Sequence, residues 1–455
     1  MEQLHVHLEG ASKLTETSFD KVTHSQVAQS SEPRAALISH NNMIQGAAIV
    51  GLLPIWMVLL PLDITSQPEG WQVFVRANSF AVPIIQLIFV LIAMGRIFSP
   101  VRALKQLPTI SSAALLVWLF IASLTTFQTG NDILSGAIGF FKLMLAGLFF
   151  LALVDVRKAL GEHFLLTLWI SIGCGAALYI LIWAFHILTN VPQGDDWISR
   201  IPGVNNVRHL GHFAFALVTA GLFSLIAYRS STKKWLRWAL PVLFGSAGLG
   251  LALWTGSRGP LLAALVTIFA TFCVSTGNRK TIATFFISSA IAATAVVATL
   301  PIPHGIYGIT QATGFADVTA EGDASSGRTE LWKGTIAKIS ERPLLGWGVN
   351  QFGKFGTGKA DEFFHPHNFP LQLLFSGGIL SALLVLLMFA PALRQWKWPY
   401  SKGPSAAGIG GVAGMLIYSL YDGVLYFSYP TMLFLLCIAT SVTPGETNAR
   451  RDTSG

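Results

Sequence analysis

Residues 281–300 read TIATFFISSAIAATAVVATL, twenty positions without a charged side chain, a glycine or a proline. A half-buried strand would alternate apolar and polar residues and seldom exceeds about ten positions. An unbroken apolar run of this length suits a helix of about 30 Å, the thickness of a bilayer's hydrocarbon core. Comparable blocks cover approximately 45–64, 78–96, 109–127, 136–154, 163–188, 209–227, 235–254, 260–276, 368–393, 405–421 and 424–443. They predict an all-α polytopic membrane protein with about twelve transmembrane helices.

Composition agrees. The 455 residues are 52% hydrophobic and 11% charged, whereas a soluble chain carries about 25% charged residues. A formal net charge of +8 would suggest nucleic acid in a soluble protein, but here it sorts by side of the membrane. With the N-terminus in the cytoplasm, the inward-facing segments hold Arg96, Arg102 and Lys105, Arg157 and Lys158, and the group Arg229, Lys233, Lys234 and Arg237. Arg279 and Lys280, Arg394 to Lys402, and Arg450 and Arg451 follow the same rule, so both termini are expected inside and nucleic acid is not an expected partner. Cys174, Cys273 and Cys437 all lie in apolar blocks away from other ligand-type residues, which fits buried thiols better than disulfides or zinc.

The expected organisation is a polar, disordered cytoplasmic tail over 1–44, transmembrane helices 1–9 over 45–300, and a long periplasmic loop over 301–367. Helices 10–12 follow over 368–443, then a cytoplasmic tail over 444–455. The tail lacks a basic start and an apolar core, so it is not read as a signal peptide. Within the loop, Arg328 to Glu341 reads as an amphipathic helix with Leu331, Trp332, Ile336 and Ile339 on one stripe, stopped by Pro343. Such a helix could lie on the membrane or cap a cavity.

The spans are almost free of mid-membrane charge, with Lys142 the main exception, and ionisable groups gather where three helices begin at the outer face. Arg200 and Arg208 lie in RIPGVNNVRHLGHF, Arg258 in WTGSRGPLLAALV, and His365 and His367 in FFHPHNFPLQLLFSGG. A helix N-terminus offers unpaired N–H groups and a partial positive charge, and arginine adds a fork that matches phosphate oxygens. Pro260 suits the first turn, while Gly256 and Gly259 allow a ligand to approach the backbone beside Ser257 and Arg258. An anionic lipid headgroup is the simplest ligand for this arrangement, and a diphosphate would use more than one arginine. The plainer readings are interfacial anchoring for the arginines, solvation for the loop histidines and a solvated turn for Asp195 and Asp196. Two histidines or two aspartates do not make a metal site, so none is expected.

Three segments together, RTELWKGTIAKISERPLLGWGVNQF, HPHNFPLQLLFSGG and TGSRGPLLAAL, resemble the bacterial O-antigen ligase and O-antigen polymerase superfamily. The resemblance covers roughly the second half of the chain and the RIPGVNN segment. Its most specific part is His367-Asn368, nine residues, then Gly378; the position three beyond, commonly Gly, Thr or Tyr in the ligase pattern, is Ser381 here. The resemblance implies a class C glycosyltransferase-like membrane fold in the bacterial inner membrane, with its active site facing the periplasm. The implied donor is an undecaprenyl-diphosphate-linked glycan, bound by Arg258 and by Arg200 or Arg208, and His367 would promote attack by the acceptor hydroxyl. Asn368, Ser257 and Gly259 would support them, and no cofactor or metal is implied. Ligation to a lipid A-core sugar is the preferred reaction; polymerisation of repeat units on a growing glycan and transfer to a protein hydroxyl remain open. A secondary transporter is the non-enzyme alternative, for which an internal repeat and midplane polar sites would be expected.

Overall fold

The computed structural model describes residues 41, 43–59, 81–94, 97–128, 133–189, 209–300, 308–313, 328–354, 365–396 and 403–441. Apart from residues 41, 43 and 44, which are helical, both expected tails lie outside the described residues, as do Asp195, Asp196, Arg200, Arg208 and much of the 301–367 loop. In chain order the helices are α1 (Leu53–Leu59), α2 (Ala81–Met94), α3 (Pro100–Gln106), α4 (Thr109–Gln128), α5 (Ile133–Leu160), α6 (Glu162–Thr189), α7 (Leu210–Ala227) and α8 (Leu240–Trp254). They continue with α9 (Arg258–Val274), α10 (Arg279–Thr299), α11 (Ile309–Thr313), α12 (Arg328–Glu341), α13 (Phe369–Gln395), α14 (Ser405–Tyr421) and α15 (Ser428–Ser441).

Every expected apolar block carries helix, and the protein is an all-α polytopic membrane protein. Among the described residues, seven stretches are long and apolar enough to cross a membrane: α4, α5, α6 as far as Phe185, α7, α8 with the π-helical turn Trp235–Ala239 before it, α10, and α13 as far as Pro391. Helices α2, α9, α14 and α15 are apolar but shorter than a full span. The block pattern marks where helices are apolar, and caps and breaks shorten them. Gly256, at φ +64°, separates α8 from α9, and the 3-10 turn Val424–Tyr426 separates α14 from α15.

Helix α7 sits at the centre. It is apolar on all sides, 94% of its span is buried, and α6, α8, α9, α14 and α15 pack around it. A helix without a polar face can be surrounded by protein or by lipid, and here protein surrounds it. Small residues let the cage close. Gly410 and Gly414 of α14 lie one turn apart against Ala263, Thr267 and Thr271 of α9, where any side chain would meet backbone carbonyls and hydroxyls. Close backbone approach is how helices associate in lipid, where apolar burial alone gives no preference for protein over lipid.

Polar contacts collect at the two ends of the bundle. At one end, buried Arg157 bonds Glu162 and the Ala439 carbonyl, Arg229 donates to Asn278 Oδ1 at 2.6 Å, and Trp396 Nε1 donates to Ser441 Oγ at 3.1 Å. This is the basic end, expected to be cytoplasmic. The opposite end carries the histidines and Arg258.

Candidate active site

The site begins with a kink. Gly378 interrupts α13 with φ +66° and ψ −169°, a conformation that only glycine adopts easily. The break opens two helical turns, and the segment following α12 fills them. Ile379 and Leu380 N–H donate to the Pro343 and Leu344 carbonyls at 2.8 and 3.3 Å, while the Phe375 and Ser376 carbonyls accept from Trp347 and Gly348 N–H at 2.8 and 2.9 Å. The helix bonds given up at the kink are thus replaced one for one, as backbone groups in an apolar region require. Gly346, at φ +68°, passes so close to this backbone that a Cβ would collide with the Phe375 carbonyl. The ERPLLGWG segment and the SGG of α13 are therefore one structural unit.

Upstream of the kink, Asn368 caps α13. Its Oδ1 accepts from Leu371 N–H at 3.0 Å and its Nδ2 donates to the Leu420 carbonyl at 3.0 Å, tying the start of α13 to the end of α14. His367 precedes the cap in the left-handed region at φ +51°. That turn presents its ring to Asp422, just beyond α14, with Nδ1 and Oδ1 3.0 Å apart. The two side chains retain 26% and 19% exposure, enough for a ligand to reach the ring. An ionised carboxylate can only accept, so in the neutral imidazole Nδ1 is the donor to Asp422 and Nε2 is the ring nitrogen that can accept.

His365 holds this geometry from below. It is 5% exposed, its Nδ1 accepts His367 N–H at 3.2 Å, and its ring stacks on Tyr426 at 4.7 Å. Gly423 lies so close that a Cβ would press on the His365 ring. Tyr426 OH donates to Asn350 Oδ1 at 2.8 Å, Asn350 Nδ2 reaches Ser135 of α5, and Trp332 Nε1 of α12 donates to the Pro366 carbonyl at 2.9 Å. Burial pushes the His365 imidazole well below its ordinary value, assisted by His367, His209 and Arg328 and opposed by Asp422, so it stays neutral near pH 7. Burial works to raise the Asp422 carboxyl, but the His367 hydrogen bond first, and then the electrostatic pull of His367 and the other basic groups around it, hold it below the ordinary carboxylate range.

Arg258 opens α9 at the same end of the bundle. Its Nε donates to the Gln311 carbonyl of α11 at 3.1 Å, and the guanidinium is exposed. Ser257 is 7% exposed with an Oγ that has no hydrogen-bond partner, and Gly259 lies against the ring of Tyr418. Tyr418 is the joint between the two halves of the site: its carbonyl accepts Asp422 N–H at 3.0 Å, and its ring lies 6.0 Å from that of His212. Arg258, Ser257, Gly259, His367 and Asn368 are thus brought to one end, while Arg200 and Arg208 lie outside the described residues. Among the described residues, no group of three or more His, Cys, Asp or Glu is placed to hold a metal ion.

Sequence reasoning did not find Asp422, and it gave His365 no role of its own. The available signal for Asp422 was a lone acid between two apolar blocks, followed by Gly423. For His365 it was the proline between two histidines, which fixes the turn.

Residues 243–387 match the family model described as O-antigen ligase. The chain is also similar to an O-antigen ligase of Pseudomonas aeruginosa (strain PAO1), with 29% identity over 193 residues. That stretch is 40% of this chain and 43% of the relative, so the chain spans less than half the length of the curated relative it matches. The match contains Arg258 and the His367–Asn368 turn, and it ends before Asp422 in the family model.

Proposed function

We propose that this chain, a member of the O-antigen ligase family through residues 243–387, moves a glycan from undecaprenyl diphosphate to a lipid A-core sugar at the periplasmic face of the inner membrane. The observation that carries the reading is the His367 Nδ1 to Asp422 Oδ1 contact of 3.0 Å at the end of the bundle where Arg258 opens α9. In the reaction, an acceptor hydroxyl oxygen attacks the anomeric carbon and its proton passes to His367 Nε2. The bond from that carbon to the phosphate oxygen breaks, and the electron pair leaves with undecaprenyl diphosphate. Asp422 orients the imidazole and stabilises its protonated form.

The leaving group needs its developing charge stabilised more than it needs covalent help. Arg258, the N–H groups at the mouth of α9 and a second arginine, Arg200 or Arg208, supply that stabilisation. Of the two, Arg200 is preferred because it stands just before the Gly-x-Asn-Asn turn.

Purified protein in nanodiscs, given lipid-linked donor and core acceptor, tests the assignment. His367→Ala should lower turnover by about 10²–10⁴-fold and leave donor binding largely unchanged. Arg258→Ala should weaken donor binding, with Arg258→Lys intermediate because it keeps the charge and loses the fork. Full turnover without His367 would remove the base from the mechanism. In cells lacking the chain, every glycan-capped lipopolysaccharide should disappear while donor accumulates; capping by single repeat units would instead identify a polymerase.

A further inference from the structure

Leu344 and Leu345 join α12 to the kink of α13, and both face outward, 60% and 39% exposed. Their surroundings are apolar. Ile379, Leu380 and Leu383 of α13 are 44%, 38% and 50% exposed, and the strip continues to Leu386 and Leu387. In a helix that spans a membrane, this strip is the lipid-facing surface, and the two leucines extend it without a break.

Helix lengths place the level. From Gly378 to its end at Gln395, α13 rises about 26 Å at 1.5 Å per residue, close to the roughly 30 Å of a hydrocarbon core. With Arg394 marking the inner end of α13, its first turns, from Phe369 to the kink, stand at the outer edge of the core although they belong to the same apolar stretch. The neighbouring α4 gives the same answer independently. It is 20 residues long, about 30 Å, Ser111 near its start bonds the Met388 carbonyl of α13, and Thr126 near its end accepts Val349 N–H at 3.1 Å. Both helices put the 343–349 segment at the upper boundary of the hydrocarbon. The Pro343 and Leu344 carbonyls are already bonded to α13, so the segment can enter that boundary without carrying them in unpaired. Just above it, the Arg342 guanidinium stacks on Trp347 at 4.3 Å while remaining exposed, at the height of lipid phosphates.

We propose that Leu344 and Leu345 insert into the phospholipid leaflet on the His367 side, with Arg342 contacting lipid phosphate, so that the loop segment bearing α12 is an interfacial membrane anchor. This holds whichever glycan the protein transfers. The anchor also reaches the site: the same segment fills the α13 kink, and Trp332 of α12 holds the Pro366 carbonyl between the two histidines.

Spin labels in phospholipid nanodiscs test the depth. With Cys174, Cys273 and Cys437 replaced by alanine, a label at Leu344→Cys should collide with oxygen at least several-fold more than with a water-soluble nickel chelate. A label at Thr329→Cys, exposed on α12, should show the reverse. A label at position 344 more accessible to the chelate would overturn the proposal, as would one shielded from both reagents, which would indicate a protein partner. The wild-type protein provides a second measurement free of folding defects. A phospholipid carrying a photoactivatable carbene high on its acyl chain should leave adducts on the peptide containing Leu344 and Leu345, and adducts confined to the spanning helices would refute the anchor.

Discussion

At the residue scale the site rests on two histidines held in opposite roles. His367 is exposed enough to meet a substrate, and His365 is buried and committed to accepting one backbone N–H. Asp422→Asn keeps the size of the side chain and removes the charge that favours protonated His367, so turnover should fall by about 10²-fold or more while donor binding persists. His365 gives the site a pH dependence of its own. In the unfolded chain it gains a proton below about pH 6.5, whereas in the fold burial keeps it neutral. The unfolded state then binds more protons, so local stability is present above that pH and declines on acidification. The stabilisation from Asp422, whose folded pKa is depressed, is present above about pH 3.9 and is lost only in stronger acid. Between pH 7 and 5 part of the loss should therefore follow His365. His365→Asn retains an acceptor near the Nδ1 position and does not titrate, so it should keep partial activity and a flatter acid limb. His365→Leu should lose both activity and the local protection measured by hydrogen exchange.

At the element scale the critical features are glycines that hold helices against something. Gly378→Ala would force a Cβ into the left-handed region, costing about 1–2 kcal/mol for the backbone alone, and would drive it into the Leu344 carbonyl. The kinked α13 should straighten or shed the loop, with a lower melting temperature and loss of activity together. Gly414→Leu should separate α14 from α9, and with them Asp422 from Arg258, while Gly147→Leu, at a position with open space around it, should be tolerated. The helices themselves were legible from apolar block length, and the position of Arg258 and His367 at helix starts from the polar residues between the blocks. The kink was not, because its replacement hydrogen bonds come from a segment some thirty residues away and leave no periodic trace. Asp422 was hidden for the same reason: its partner is 55 residues away, and only the packing of α13 on α14 pairs them.

At the scale of the whole molecule, the two polar ends of the bundle make topology testable. Cysteines placed at Thr329 and at Thr232, on exposed positions of opposite ends, should respectively react with and resist an impermeant reagent in intact cells; the opposite pattern would put His367 in the cytoplasm.

The enclosure of α7 also constrains how the protein is made. Translation delivers α7 well before α14 and α15, yet Phe213 of α7 packs on Tyr429 and Thr219 lies beside Gly411, so part of the central helix has only lipid for company until the C-terminal hairpin arrives. The same hairpin brings Asp422. A nascent chain stalled after α13 would hold all of residues 243–387 and still lack both its finished core and Asp422, so the contact with His367 can form only once α14 has packed beside α13.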